Sequence, residues 1–372
     1  MNKVKLSKST VGEKEKKALA EVIDQAYLGM GSFVKRFEQN LQSYLGAGFV
    51  TCVNSGTAAL HLALMGLGLE PGDEVLVQSL TFVASFQAIT AAGLKPVPCE
   101  IVPETCTIDL NDAEKKISSK TRVIMPVHYA SRPGDLDSIY AFAKKHNLRV
   151  VEDAAHAFGS LYKGKKIGSF GDVICFSFDG IKNITCGEGG AVVTSDKDVS
   201  QYVMDTRLLG VQKDTEKRFS GQRSWDFDVK HQGYRYHMSN LFAAIGLTQL
   251  ERLENEFKPA RQGIARRYNE DLKKLSGIVL FEDDYTNTIP HIYPVRILNG
   301  KRDSVRKYLI ESGVECGVHY CPNHLLSFYG AKIGSLPMTE KIYGELLSLP
   351  LHPEVSEADQ ELIFKTITKA LK

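Results

Sequence analysis

Short apolar runs rich in β-branched residues recur through the first half of the chain, at Phe49–Val53, Val75–Val77, Pro96–Ile101, Arg122–Val127, Arg149–Glu152, Val173–Phe178 and Ala191–Thr194. Their apolarity is continuous rather than alternating, as strands covered on both faces require. Helical patterns separate several of them, at Thr57–Leu67, Ser85–Ala92 and Asp137–His146. Strand and helix alternating in this way predict βαβ units with right-handed crossovers, hence an α/β fold with a mainly parallel sheet. After Gly233 the pattern changes. Asn240–Phe257 reads as one long amphipathic helix that Lys258-Pro259 ends, and a smaller α/β region follows, with strands near His291–Ile297 and Gly317–Tyr320 and a helix near Arg302–Ser312. The expected division is 1–255 and 256–372, since 372 residues exceed the roughly 250 to 300 at which one core stops growing.

Composition narrows the classes. Lys plus Arg number 46 against 44 Asp plus Glu, with no block of like charge, so nothing points to nucleic acid or a membrane surface. The uncharged stretches Gln39–Leu69 and Val75–Leu94 are long enough to span a bilayer. Their Asn54, Ser55, Thr57, His61, Gln78, Thr81, Ser85 and Gln87 make them strand-then-helix units of a soluble core instead. The seven cysteines show no metal or redox spacing, and the histidines lack ligand spacing, so reduced thiols and no metal are expected. The N-terminal MNKVKLSKSTVGEKEKK has no apolar segment of a signal peptide, which points to the cytoplasm.

Candidate chemistry gathers where apolar runs end. Lys182 follows the run ending at Phe178 and precedes Gly187-Glu188-Gly189-Gly190, whose glycines allow close backbone approach. That setting suits a lysine that must lose its proton to attack an aldehyde. Asp153 stands at the end of another run, the edge where open α/β sheets bind ligands, and there a carboxylate can pair with a protonated pyridine nitrogen. It equally suits a helix cap. Ser55-Gly56-Thr57-Ala58 opens a helix whose free N–H groups can hold a phosphate, or is a plain N-cap. Ser177 can give a hydroxyl to the same phosphate. Phe82 can stack on an aromatic ring or pack in the core, and His156 can meet a phenolic oxygen or lie on a helix surface. Together these residues point to pyridoxal 5′-phosphate (PLP).

In this order the motifs resemble the DegT/StrS-type sugar aminotransferases, a branch of the fold type I PLP enzymes. The likeness includes Phe37-Glu38, Tyr44-Leu45-Gly46, NSGTAALHLAL, PGDEV, TFVAS, KTRVIMPVHYA, VEDAAHAFGS, FSFDGIKNITCGEGGAVVTSD, GYRYHMSNLFAAIGLTQL and Val318-His319-Tyr320. The resemblance implies a large domain with a mixed, mainly parallel seven-stranded sheet and a smaller C-terminal α/β domain. It implies Lys182 as the Schiff-base lysine, Asp153 on the pyridine nitrogen, His156 near the cofactor's oxygen, Phe82 on the ring, and Ser55, Gly56, Thr57 and Ser177 at the phosphate. In family dimers the GYxY segment reaches the neighbouring site, often with Asn where this chain has Arg235, and His237 stands where Arg is common.

The implied reaction moves an amino group from an amino acid, L-glutamate by resemblance, to a nucleotide-linked ketosugar, with Lys182 carrying both proton transfers. HYASRPGDLD and GIKNITCGEGG look closer to relatives acting at C-4 of 4-keto-6-deoxy sugars than to those acting on 3-keto sugars. A homodimer with shared sites is expected, serving amino-sugar and surface-polysaccharide synthesis. Gly29, Met30, Tyr320 and His324 are expected in the substrate wall. The rivals are a 3-ketosugar aminotransferase and a protein that keeps the fold without turnover. Lys182 argues against the related dehydratases, which carry histidine there.

Overall fold

A computed structural model describes residues 3–330 and 332–372. Among these, twelve strands are present: β1 Phe49–Val53, β2 Glu74–Gln78, β3 Lys95–Cys99, β4 Thr121–Met125, β5 Arg149–Asp153, the short hairpin β6 Leu161–Tyr162 and β7 Lys165–Lys166, β8 Val173–Ser177, β9 Gly190–Thr194, β10 Ile278–Val279, β11 Tyr293–Ile297 and β12 Leu346–Leu349. The seven apolar runs become the seven strands of the main sheet, ordered β1-β9-β8-β5-β4-β2-β3. Only β9 runs antiparallel to its neighbours; the other adjacent pairs are parallel. This is the mixed α/β sheet of fold type I.

Strand alternation divides two apolar layers. Val150, Ile174 and Val193 face one side, where Phe37, Leu41, Phe142 and Leu247 of helices Ser32–Leu45, Leu136–His146 and Asn240–Arg252 cover them. Val151, Val173, Cys175 and Val192 face the other, under Leu62, Phe86 and Val203 of helices Gly56–Gly66, Val83–Ala91 and Lys197–Thr206. Both faces being buried explains the unbroken apolar runs. All seven cysteines are free thiols and five are buried. Among the described residues no helix is long and apolar enough to cross a membrane.

The C-terminal part corrects two expectations. Lys258-Pro259 does not end the long helix. Leu253–Phe257 forms a π turn and the helix resumes as Lys258–Leu272. Pro259 lies in the first turn of the resumed helix, where its fixed φ fits, and position 255 falls inside the π turn. Gly317–Tyr320 is not a strand either: it is a loop with one bridge, Gly317 to Ser348. The third strand of the small sheet is β12, four residues that follow helix Pro337–Glu345 directly and so carry no turn signal at their start. This sheet packs with helices Arg302–Glu311 and Glu357–Leu371 around a core that also takes Val4 from the N-terminal segment.

Candidate active site

The carboxyl ends of β5 and β8, the turn after β2 and the loop that carries Lys182 enclose a cavity of about 310 Å³, lined by Ser55, Gly56, Thr57, Phe82, Asp153, His156, Ser177, Lys182 and Tyr320, with Thr81, Asp179, Glu188 and His319 among their neighbours. Nine of the residues named from the sequence therefore meet at one place. The volume lies at the low end of the range for small-molecule sites.

One end is a helix start. Ser55 caps helix Gly56–Gly66 by accepting from Ala58 N–H at 3.1 Å, so Gly56 and Thr57 present the first turn to the cavity. A Cβ on Gly56 would stand 2.7 Å from Ser177 Cβ. Only a glycine lets this turn settle against the end of β8, which brings free N–H groups, the Thr57 residue and the Ser177 hydroxyl to one anion-sized corner.

Asp153, the last residue of β5 and 5 % exposed, occupies the other end. Ser85 Oγ donates to its Oδ2 at 2.7 Å and Ala155 N–H to its Oδ1 at 3.2 Å. Thr81 Oγ1 lies 3.0 Å from Ser85 Oγ. The carboxylate is thus fixed in direction. Neither Ser85 nor Thr81 was assigned a role from sequence, although the spacing of Thr81 and Ser85, one helical turn apart across an N-terminus, carries that signal. Phe82, with 54 % of its surface open, stands at the mouth with its ring 5.4 Å from that of Tyr320.

Lys182 is partly buried in the loop between β8 and β9. Burial pushes its ammonium down to about 8, against the opposing pull of Asp153 and Asp179. Its Nζ lies 3.4 Å from His291 Nε2. His156 accepts from Ala130 N–H through Nδ1 at 3.3 Å; the neutral ring then carries its hydrogen on Nε2, 3.0 Å from the Tyr320 hydroxyl. Burial, then Lys182, His319 and His128, push the His156 pKa well below the usual value. His319 falls to about 4 through burial and Lys182. The histidines around the lysine therefore act as neutral rings.

Four expected site residues lie elsewhere within the chain. Met30 is fully buried among the core helices because its long apolar side chain has an apolar cleft to fill. Gly29 lies on the surface, its carbonyl accepting from Asn240 N–H at 3.0 Å. His324 is 3 % exposed, held between Ser79 Oγ at 2.7 Å and Glu340 Oε1 at 3.1 Å. Arg235 borders a second cavity with Asp214, Arg218, Phe227 and His237; its segment is tied to the end of β1 by Asn54 N–H donating to Tyr236 O at 2.6 Å. Sequence reasoning passed over His291 and Arg261, which lie outside every motif it used.

A helix start and a serine at one end suit a phosphate, a fixed carboxylate at the other suits a pyridine nitrogen, and a lysine of lowered pKa stands in the same cavity: an α/β enzyme built for PLP. Residues 9–368 match the DegT/DnrJ/EryC1/StrS aminotransferase family. GDP-perosamine synthase of Escherichia coli O157:H7 is 35% identical over 96% of this chain and 95% of its own. Among solved structures, Helicobacter pylori PseC, an aminotransferase involved in the biosynthesis of pseudoaminic acid, superposes with a TM-score of 0.92 at 26% identity, covering 100% of this chain and 99% of its own. Spr1654 of Streptococcus pneumoniae in its PLP form does so with a TM-score of 0.91 at 28% identity, covering 99% and 98%. The chain belongs to the DegT/DnrJ/EryC1/StrS aminotransferase family and is a PLP-dependent sugar aminotransferase.

Proposed function

We propose that the chain transfers the amino group of L-glutamate to a nucleotide-linked ketosugar, at C-4 of a 4-keto-6-deoxy sugar, in the synthesis of amino sugars for surface polysaccharides. The observation that carries this reading is the meeting of Lys182, Asp153 and the Gly56–Ser177 corner in one cavity. PLP, when bound, supplies an electrophilic aldehyde and a ring that draws electrons from the reacting carbon.

The chain's own groups would do the rest. Gly56, Thr57 and Ser177 would hold the phosphate, Asp153 the pyridine nitrogen, Phe82 one face of the ring and His156, through Tyr320, the side that bears the phenolic oxygen. Lys182 would attach the cofactor as a neutral amine and, once displaced, take the proton from the donor's α-carbon. In the second half it would return a proton to the sugar carbon. Its lowered pKa supports both duties near neutral pH.

Both substrates and the phosphate are anionic, yet the cavity lining carries Asp153, Asp179 and Glu188 against Lys182 alone. We infer that a second copy of the chain supplies the missing positive charge through the exposed Arg235 segment, in a cytoplasmic homodimer with shared sites. HYASRPGDLD and GIKNITCGEGG support C-4 over C-3. The test incubates the PLP-loaded protein with glutamate and a panel of 3-keto and 4-keto nucleotide sugars and reads the position of the new amine by NMR. Amine at C-4 is expected. Amine at C-3 overturns the position, and no amine on any sugar overturns the substrate class.

A further inference from the structure

Lys182 and His291 stand 109 residues apart, and their side chains meet at 3.4 Å. His291 is 3 % exposed, and its other ring nitrogen, Nδ1, has no partner among the described residues. Nδ1 carries the hydrogen if Nε2 accepts from the lysine, so the ring is a neutral acceptor. Burial and the neighbouring positive charge favour the neutral ring. Burial, Lys182, His156, Arg261 and His319 all oppose a proton on His291, while Asp153 and Asp179 favour one on Lys182; the proton therefore stays on the lysine side.

Arg261 is 2 % exposed and pairs with no carboxylate among the described residues. A buried, unpaired guanidinium is costly and calls for a reason. Its Nη1 donates to the carbonyls of Pro290, His291 and Leu351, each at 3.3 Å, and its Nη2 to the carbonyl of Lys182 at 3.5 Å. One planar fork thus fastens the main chains that carry the lysine and the histidine.

We propose that His291 is the acceptor that holds the Lys182 amine whenever that amine is free of the cofactor, and that Arg261 is the positioning residue that keeps the pair in register. The inference rests on the reading of Lys182 as the residue that attaches PLP. A lysine released in each half-reaction has a flexible four-carbon stem; an acceptor 3.4 Å from its nitrogen holds that nitrogen in place rather than leaving it drawn towards Asp179.

The test uses the cofactor-free protein. Trace labelling of Lys182 with an amine reagent across pH, quantified by peptide mass spectrometry, gives the pH at which the amine becomes neutral. A charged donor's hydrogen bond favours the ammonium, so its loss lowers that midpoint. His291→Leu is expected to lower it by about one pH unit, a tenfold change, whereas His291→Gln, which keeps an acceptor near the Nε2 position, stays within about threefold of wild type. Arg261→Lys keeps the charge and loses the fork, and is expected to resemble His291→Leu. Thermal unfolding of each variant identifies any that fail to fold, and the Leu and Gln contrast stands without Arg261. An unchanged midpoint in His291→Leu, or equal midpoints for Leu and Gln, overturns the proposal. If wild-type protein forms no Lys182-dependent visible band with PLP, the cofactor reading fails instead, and the labelling still reports on the pair.

Discussion

The cavity around Lys182 and the cavity around Arg235 differ in the sign of their charge. The first carries three carboxylates and one lysine, with its histidines held neutral. The second carries Arg218 and Arg235 against Asp214; Arg218 is paired to Asp214 at 2.9 Å, and Arg235 pairs with no carboxylate among the described residues. Nearby positive charge also shapes its histidine: burial, then Arg235, Arg218 and Arg207, push His237 down to about 4. The cavity proposed to take anions is acidic, and the arginine that would suit them borders another. On the proposed function, the difference teaches that the chain holds the chemistry in one place and the counter-charge in another.

The sharpest way to break this division is to remove the chemistry alone. Lys182→Ala is expected to abolish the visible PLP band and to lower turnover by about four orders of magnitude, while far-ultraviolet circular dichroism stays unchanged. Turnover near wild type would move the chemistry out of this cavity. Asp153→Asn keeps the shape and, with its oxygen towards Ala155 N–H, that hydrogen bond; its NH2 then donates to Ser85 Oγ where the carboxylate accepted, and the charge is lost. The variant is expected to retain PLP and lose about a hundredfold in kcat; a drop in PLP affinity with kcat intact would make Asp153 an anchor rather than a tuner of the ring.

The acidic cavity was legible in the sequence because its residues sit at strand ends. Asp153, Ser177, Ser55 and Phe82 are positioned by local rules of strand, turn and helix start, and those rules are written within a few residues of each. The expected residues that lie outside that cavity answer to tertiary packing instead. Met30 is fully buried in the core, and His324 is held by Ser79 and Glu340, partners 245 and 16 residues away. His291 and Arg261 were invisible for a related reason: neither stands in a motif, and their role exists only where β11's approach meets the Lys182 loop. The long helix was found but its end was not, since a proline is tolerated in the first turn of a resumed helix.

A smaller effect separates the cavities by titration. Lys182 falls to about 8 in the cofactor-free protein, and only the neutral amine attaches PLP. The rate of PLP attachment is therefore expected to rise about tenfold per pH unit below 8 and to level off above it. Stopped-flow absorbance checks this. A rise that continued to pH 10 would mean that the lysine keeps its ordinary pKa and that burial does not tune it.

The smallest expected signal decides whether the two cavities work together across a dimer. Arg235→Ala should lower kcat/KM by about tenfold or more if its guanidinium neutralises the phosphate or substrate of a shared site. Lys182→Ala and Arg235→Ala protein can then be mixed, unfolded and refolded together. If each site joins Lys182 of one copy to Arg235 of the other, half of the dimers are mixed, and each mixed dimer has one site with both residues intact. Random pairing of two-fold dimers then returns about a quarter of wild-type activity. If Arg235 serves its own chain's pocket, every site in the mixture lacks one of the two residues, and activity stays at the sum of the separate variants. Recovery therefore reports on geometry between copies, which neither variant reveals alone, and its absence would leave the acidic cavity to find its counter-charge within one chain.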